Sequence, residues 1–192
     1  MKGYIKLRKK AIEILNTQLS GELYYHCIHH TYDVCNVINQ YIRREKINSY
    51  EAKLLRIGAL FHDIGFTISN QNHEERSVEI VKKYMVQFGF SKKDFNVVKG
   101  LILATKIPQS PKNQLENIIC DADLDYLGRA DFYPISNQLF EELKAFSVLK
   151  TLDEWNMAQI KFLETHFYHT KFAKKNRQPE KEKRIAELKN MV

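Results

Sequence analysis

The chain has 192 residues, of which 44% are hydrophobic and 28% charged, with 7 glycines and 4 prolines. This composition is typical of one folded globular domain and argues against a disordered or fibrous chain. No apolar run approaches the roughly 20 residues that cross a bilayer, so we expect no membrane span and a cytoplasmic location. The 3 cysteines are too few and too irregularly spaced for a disulfide framework or a CxxC metal site.

The formal net charge of +7 could indicate a nucleic-acid partner, so its distribution along the chain matters. From Lys171 onward there are eight basic and three acidic residues, which leaves a net charge of only +2 for everything before it. No aromatic residue interrupts the last fifteen positions. We therefore interpret the basic end as a solvated helix face and do not expect nucleic acid to be a partner.

Apolar residues recur at helical spacing almost everywhere, and this pattern predicts an all-α fold. Ser49 and Asn72 are expected to cap the third and fourth helices, and Ser91 with Asp94 resembles a capping box that opens the fifth. The predicted helices cover about residues 5–19, 24–44, 50–64, 73–88, 92–105, 115–126, 135–146 and 152–175, and a charged helix follows Pro179. Because there is no internal repeat and no long linker, we expect a single domain.

Two histidine-bearing segments lie on or at the end of predicted helices. In YHCIHHTYDV, residues 25–34, His26 and His30 are four apart and are expected to share one helix face. The adjacent pair His62 and Asp63 lies between apolar residues at a predicted helix end. Residues that leave a helix no longer follow its hundred-degree spacing, so both side chains of this pair can face one ion.

A third segment, DADLD at residues 121–125, places three carboxylates directly after an apolar run. A single histidine or an acidic helix end is common without a ligand. Taken together, however, imidazoles and carboxylates form the ligand set of Zn, Fe or Mn, and carboxylates near a core are costly unless a positive charge pairs them. The residues thus predict a metal site without deciding which histidine or aspartate serves it.

His30, the pair His62-Asp63 and Asp123, in this order on successive helices, resemble the HD superfamily of metal-dependent phosphohydrolases. The resemblance covers about residues 23–128. Tyr25 to Val34 is also similar to the first metal motif of cyclic-nucleotide phosphodiesterases, and NHEERS at 72–77 is similar to a segment that follows the HD pair in bacterial members. The resemblance implies one HD-type helical domain over residues 1–192, with its core at about 23–128 and a helical extension at about 135–192.

The resemblance also implies a ligand set and a reaction. His30, His62, Asp63 and Asp123 would hold one divalent transition metal, Mn, Fe, Co, Ni or Zn, and metal-activated water would cleave a phosphate ester of a small molecule, such as a nucleotide. Asp63 would orient that water. The leaving group would be protonated by His26 according to the phosphodiesterase likeness, or by His73 with Glu74 according to the bacterial one. The alternatives are a cyclic-nucleotide phosphodiesterase and a non-catalytic sensor that binds metal or nucleotide.

Several further residues are judged against this likeness. Thr105 and Lys106 stand where the two-metal branch of the superfamily places extra histidines, which favours one tight ion and leaves a second, weaker Mg or Mn site open. Lys106 and Arg129 are expected to neutralise the substrate phosphate. His166 and His169 lie among aromatic residues at helical spacing, so we interpret them as packing residues of the core or of a homodimer face.

Overall fold

A computed structural model describes residues 2–192, and these residues form helices and no strand, which confirms the all-α prediction. Two short 3-10 helices, Ile64–Thr67 and Asp125–Gly128, lie among the α-helices. No helix in the described residues is both long and apolar enough to span a membrane. The ten α-helices of these residues are α1 (Lys2–Gln18), α2 (Ile28–Arg44), α3 (Ser49–Phe61), α4 (His73–Gln87), α5 (Lys92–Ala104), α6 (Gln114–Asp123), α7 (Phe132–Ala145), α8 (Leu152–Thr165), α9 (Lys171–Asn176) and α10 (Gln178–Lys189).

The contacts within the chain divide it into two compact units. The first comprises residues 2–21 and His26–Asp123, and so contains α1 to α6. The second comprises Glu22–Tyr25 and Leu124–Val192, and contains α7 to α10.

Helix α3 lies at the centre of the first unit, where it contacts each of the other five α-helices. Leu54, Ile57 and Phe61 are fully buried in its core. A Cβ atom at Gly58 would lie 2.9 Å from Leu101 Cδ1 and 3.1 Å from Ile119 Cδ1, so a larger residue here would require these side chains of α5 and α6 to shift. Burial on all sides fixes α3 and therefore the position of the residues that follow it.

Of the three predicted helix caps, one is confirmed, one lies one residue earlier than predicted, and one forms no capping hydrogen bond. Ser91 and Asp94 form the predicted capping box at α5. At α3 the cap is Asn48 and not Ser49, because the Asn48 side chain accepts hydrogen bonds from the backbone N–H groups of Tyr50 and Glu51. Asn72 precedes α4 as predicted, but it has φ +51° and its side chain forms no capping hydrogen bond.

The prediction that the second helix begins at Tyr24 is wrong, since α2 begins at Ile28. In the second unit, the backbone N–H of Tyr25 donates to Glu142 Oε2 at 2.9 Å, and the Tyr25 ring lies against Tyr126. These long-range contacts hold the segment outside a helix. His26 consequently lies before α2 and does not share a helix face with His30, as the four-residue spacing had suggested.

The predicted long helix at 152–175 is also wrong, because α8 ends at Thr165 and α9 begins at Lys171. His166 has extended backbone angles, and Thr170 caps α9 by accepting from the Ala173 N–H. The buried Tyr168 hydroxyl donates to the Leu124 carbonyl at 3.1 Å, a tertiary bond that a continuous helix would not position in this way. His166 therefore lies in a connection and not on a helical packing face.

Gly65 allows the start of α4 to pack against the 3-10 helix that follows α3. A Cβ atom at this position would lie 1.9 Å from the His73 carbonyl oxygen and 2.9 Å from the Ser77 backbone nitrogen. The Gly65 N–H also donates to Ser77 Oγ at 2.8 Å. Glycine is thus required for close approach here, beyond the helix-stop role that the sequence suggested.

We predict that Gly65→Ala lowers the free energy of unfolding by roughly 1–3 kcal/mol, because a methyl group would overlap backbone atoms that have no room to move. Urea unfolding monitored by circular dichroism measures this change. Gly21→Ala is the matched control, since a Cβ atom there meets nothing within 4 Å. Equal stability of the Gly65 and Gly21 variants would contradict the packing argument.

Lys181 of α10 is a buried lysine in the second unit, with 1% of its surface exposed. Its Nζ donates to the His166 carbonyl and lies 5.8 Å from the centre of the Tyr168 ring. Burial of the ammonium group lowers its pKa to about 8, although the charge of Glu182 opposes the shift. Between pH 8 and the ordinary pKa of 10.5, the unfolded chain holds this proton and the folded chain releases it.

The linkage predicts that the contribution of Lys181 to stability rises with pH across this window. The unfolding temperature of the wild type relative to Lys181→Met should therefore increase from pH 8 to pH 10.5, as measured by calorimetry at matched ionic strength. Lys175→Met, at an exposed position of α9, is the control and should show no such trend. A difference between wild type and Lys181→Met that stays constant with pH would refute the linkage.

Candidate metal centre

Three helix ends of the first unit supply the side chains of the centre. His30 lies in the first turn of α2, and Asp123 is the last residue of α6. His62 follows α3 with helical angles, whereas Asp63 leaves the helix with φ −107° and ψ 6°. This change of backbone direction lets two adjacent residues face the same point.

The four side chains meet through one donor atom each. His30 Nε2 and His62 Nε2 are 3.2 Å apart. Asp63 Oδ2 lies 3.4 Å from His30 Nε2 and 3.1 Å from His62 Nε2. Asp123 Oδ1 lies 3.2 Å and 3.3 Å from the same two nitrogens. Both carboxylates therefore contact both imidazoles.

The spacing of the His30, His62 and Asp123 donors fits a single transition-metal ion. Atoms that bind one ion at about 2.0–2.2 Å are separated by roughly 2.8–3.6 Å in tetrahedral or neighbouring octahedral positions. All five separations given above fall in this range. The donors of His30, His62 and Asp123 lie within 4.8 Å of one another, and Asp63 contacts both histidines without belonging to that mutually close set.

Burial makes the charges of this group strongly interdependent. Burial alone would lower the pKa values of His30 and His62, but the hydrogen bonds and charges of the two aspartates outweigh it and raise both. Burial would likewise raise the aspartate pKa values, yet the histidines lower the pKa of Asp63 well below its usual range and that of Asp123 to about 2. Both carboxylates are therefore ionised and require positive charge beside them.

A backbone carbonyl orients one of the imidazoles. His62 Nδ1 lies 2.8 Å from the Ala59 carbonyl oxygen, where an Nδ1–H group donates. In the neutral imidazole this bond leaves the Nε2 lone pair facing the other three donors, which is the arrangement a metal-binding histidine needs. Sequence reasoning missed this contact, although the spacing of three residues within a helical turn is a signal for it.

His73 and Glu74, at the start of α4, lie beside the four donors. His73 Nε2 is 3.4 Å from Asp63 Oδ1 and 3.4 Å from Glu74 Oε1, while its Nδ1 is 3.3 Å from the Asn70 carbonyl oxygen. Burial tends to lower the pKa of His73, but the hydrogen bond and charge of Asp63, with the charge of Glu74, raise it. Asp63 thus faces the histidine pair with one oxygen and His73 with the other.

Phe66 joins two further histidines at the edge of this site and was not identified from the sequence. Its ring centre lies 4.1 Å from that of His26, nearly parallel to it, and 4.1 Å from that of His73. The His26 ring lies 6.1 Å from the His30 ring. The structure therefore brings both candidate proton donors, His26 and His73, close to the four donors.

The two predicted phosphate-binding residues already have protein partners. Lys106 forms an ion pair with Glu75, and the side chains of both are partly exposed. Arg129 belongs to the second unit, where its guanidinium binds both carboxylate oxygens of Asp131 at 2.8 and 2.6 Å. Their roles toward a substrate stay predictions. His29 is exposed, and so does not join the donor group.

Comparison with known proteins gives a family match. A model of the HD domain matches residues 27–125, a segment that covers more than half of the chain and contains all four donors. Neither the curated proteins nor the solved structures contain a match to the chain. On the strength of the family model, this protein belongs to the HD superfamily of metal-dependent phosphohydrolases.

Proposed function

We propose that the protein hydrolyses a phosphate monoester of a small molecule, with nucleotides as the first class to test, at one divalent ion. The observation that carries the proposal is the convergence of His30, His62 and Asp123 at spacings that fit one ion, with Asp63 in contact with both histidines. In the reaction, water supplies a hydroxyl group to phosphorus, the ester P–O bond breaks, and the leaving oxygen takes up a proton.

Each residue of the centre has a distinct task in this proposal. An ion bound here would acidify a water molecule and polarise a phosphoryl oxygen. The two imidazole Nε2 atoms and the two aspartates would hold that ion, and two ionised carboxylates balance its two positive charges. Asp63 would also orient the attacking water, because its second oxygen faces away from the histidine pair toward His73.

His73 is the proposed proton donor to the leaving group. Its raised pKa favours the protonated imidazolium, and Asp63 and Glu74 hold its Nε2 from two sides. His26, which the phosphodiesterase likeness favours for this task, stacks on the ring of Phe66. We therefore place His73 first and keep His26 as the residue that a cyclic-nucleotide phosphodiesterase would use.

Phe66 supports nucleotides as the first substrate class. It is half-buried beside His73, and an aromatic ring next to a phosphate-cleaving centre provides a surface on which a nucleobase can pack. Assays should compare nucleoside monophosphates with cyclic nucleotides in the presence of Mn, Co or Fe. Metal-dependent binding of a nucleotide without turnover would instead identify a sensor.

We predict that the purified protein holds about one transition-metal ion per chain and that His62→Ala and Asp63→Ala reduce this content to near zero. Loss of one donor leaves the remaining ligands unable to compete with water and chelators, so affinity should fall by more than about 100-fold. Elemental analysis by plasma mass spectrometry measures the content.

His29→Ala is the matched control, because this neighbouring histidine of α2 is exposed and should leave the metal content unchanged. Circular dichroism shows whether each variant is folded. Folded His62 and Asp63 variants with full metal content would rule out the proposed centre. Two tightly held ions per chain in the wild type would contradict the single-ion form of the proposal.

The role of His73 predicts a dependence on the leaving group. His73→Gln should lower kcat by roughly 100-fold or more for a nucleoside monophosphate, whose alkoxide leaves poorly without a proton. The loss should be much smaller for p-nitrophenyl phosphate, whose leaving group needs no proton. Metal content, measured in parallel, should stay unchanged. An equal loss on both substrates would show that His73 does not act as the acid.

A further inference from the structure

A small polar cavity of about 150 Å³ lies in the first unit. Helices α1, α2 and α3 each contribute to its lining. None of the four metal donors is among the lining residues, and neither is any aspartate or glutamate. The polar residues around it are Tyr4, Arg8, Tyr32, Asn36, Asn39 and Arg56.

Two arginines therefore share one cavity without an acidic residue. Within residues 2–192, neither Arg8 nor Arg56 forms an ion pair with a carboxylate. Both guanidinium groups act on the same hydroxyl, that of Tyr4: burial raises the pKa of Tyr4, and the charges of Arg56 and Arg8 oppose the increase. Arg8 is exposed and Arg56 is half-buried, so water also reaches the cavity, and an anion between the two charges would relieve their repulsion.

Arg56 is held in place by α2. Its Nε donates to Asn39 Oδ1 at 2.8 Å, and the Asn39 amide group donates in turn to the Cys35 carbonyl at 2.9 Å. This chain of bonds uses only the Nε of the guanidinium fork, so its two terminal nitrogens are left to donate to another acceptor. A fork fixed through Nε is pre-organised to bind a planar or tetrahedral oxyanion.

The size of the cavity limits what can occupy it. A cavity of about 150 Å³ holds a molecule as large as benzene, which exceeds a phosphate ion but is too small for a whole nucleotide. Amide and hydroxyl groups from Asn36, Tyr4 and Tyr32 supply further hydrogen-bond donors around it. We propose that this cavity is a second, metal-independent site that binds inorganic phosphate between Arg8 and Arg56.

The proposal is tested by titrating inorganic phosphate into the chelator-treated full-length protein in a calorimeter, with chloride added to keep the ionic strength constant. Arg8→Gln and Arg56→Gln should each weaken binding by about tenfold or more, because each removes a charged hydrogen-bond donor. Arg56→Lys should weaken it as well, since the charge remains but the fork is lost. Arg43→Gln, an exposed arginine of α2 outside the cavity, is the charge-matched control and should bind as the wild type does.

Thermal unfolding separates a ligand site from a structural role. Arg8 forms no hydrogen bond or ion pair with the described chain, so in phosphate-free buffer Arg8→Gln should unfold at the wild-type temperature. Phosphate should raise that temperature for the wild type and Arg43→Gln but not for Arg8→Gln.

Two results would overturn the proposal. In the first, phosphate binds Arg8→Gln and Arg56→Gln as tightly as it binds Arg43→Gln. In the second, Asp63→Ala abolishes phosphate binding, which would place the ion at the metal centre. Failure of the hydrolase assay would not change the result of the phosphate titration or of thermal unfolding, because the chelator-treated protein is tested for binding alone.

Discussion

The interaction on which the centre depends is the neutralisation of two ionised carboxylates, Asp63 and Asp123, in a place with little water. Two protonated histidines can supply the balancing charge, and so can one divalent ion with both imidazoles neutral. The two solutions use the same Nε2 atoms, so protons and metal compete for them. The raised histidine pKa values and lowered aspartate pKa values are the metal-free form of this balance. The separations of 3.2–3.3 Å among the His30, His62 and Asp123 donors suit both forms.

The fold maintains these separations through helices that are remote in sequence. His30 Nε2 and Asp123 Oδ1 are 3.2 Å apart, although His30 lies in the first turn of α2 and Asp123 is the last residue of α6. Only a packed core can hold such distances, because a shift of one helix along its axis by an ångström or so would separate the donor atoms. Gly58 lets α3 pack closely against α5 and α6, and Gly65 lets α4 pack against the residues after α3. Both glycines act on the centre from a distance, by fixing where His62, Asp63 and His73 can lie.

Local chemistry explains which features the sequence could predict. The helical periodicity, the capping box at Ser91 and the position of α5 depend on residues close in the chain, and all were predicted correctly. The late start of α2 and the break after α8 depend on Tyr25 meeting Glu142 and on Tyr168 meeting Leu124, partners that periodicity cannot identify. The order of histidines and aspartates indicated the proposed metal donors through a family likeness. It could not show the Ala59 carbonyl behind His62 or Phe66 beside His73, since a backbone atom and an aromatic ring leave no ligand signature in a sequence.

Some charged side chains of the protein form an ion pair with an oppositely charged side chain, and others do not. Asp125 is matched by Arg177 at 2.8 Å and Lys106 by Glu75, so these pairs need no further partner. Lys181 has no carboxylate against its buried ammonium, and it responds by a fall in pKa, because a lysine can lose its proton. Arginine cannot respond in this way, since its guanidinium keeps its charge at every accessible pH. The two arginines on the cavity can stay hydrated, because Arg8 is exposed, or bind an anion, whereas the buried carboxylate of Asp63 needs protons or a metal beside it. Charge matching in the first unit therefore demands a cation at the buried centre, while at the arginine cavity it favours the anion that we propose.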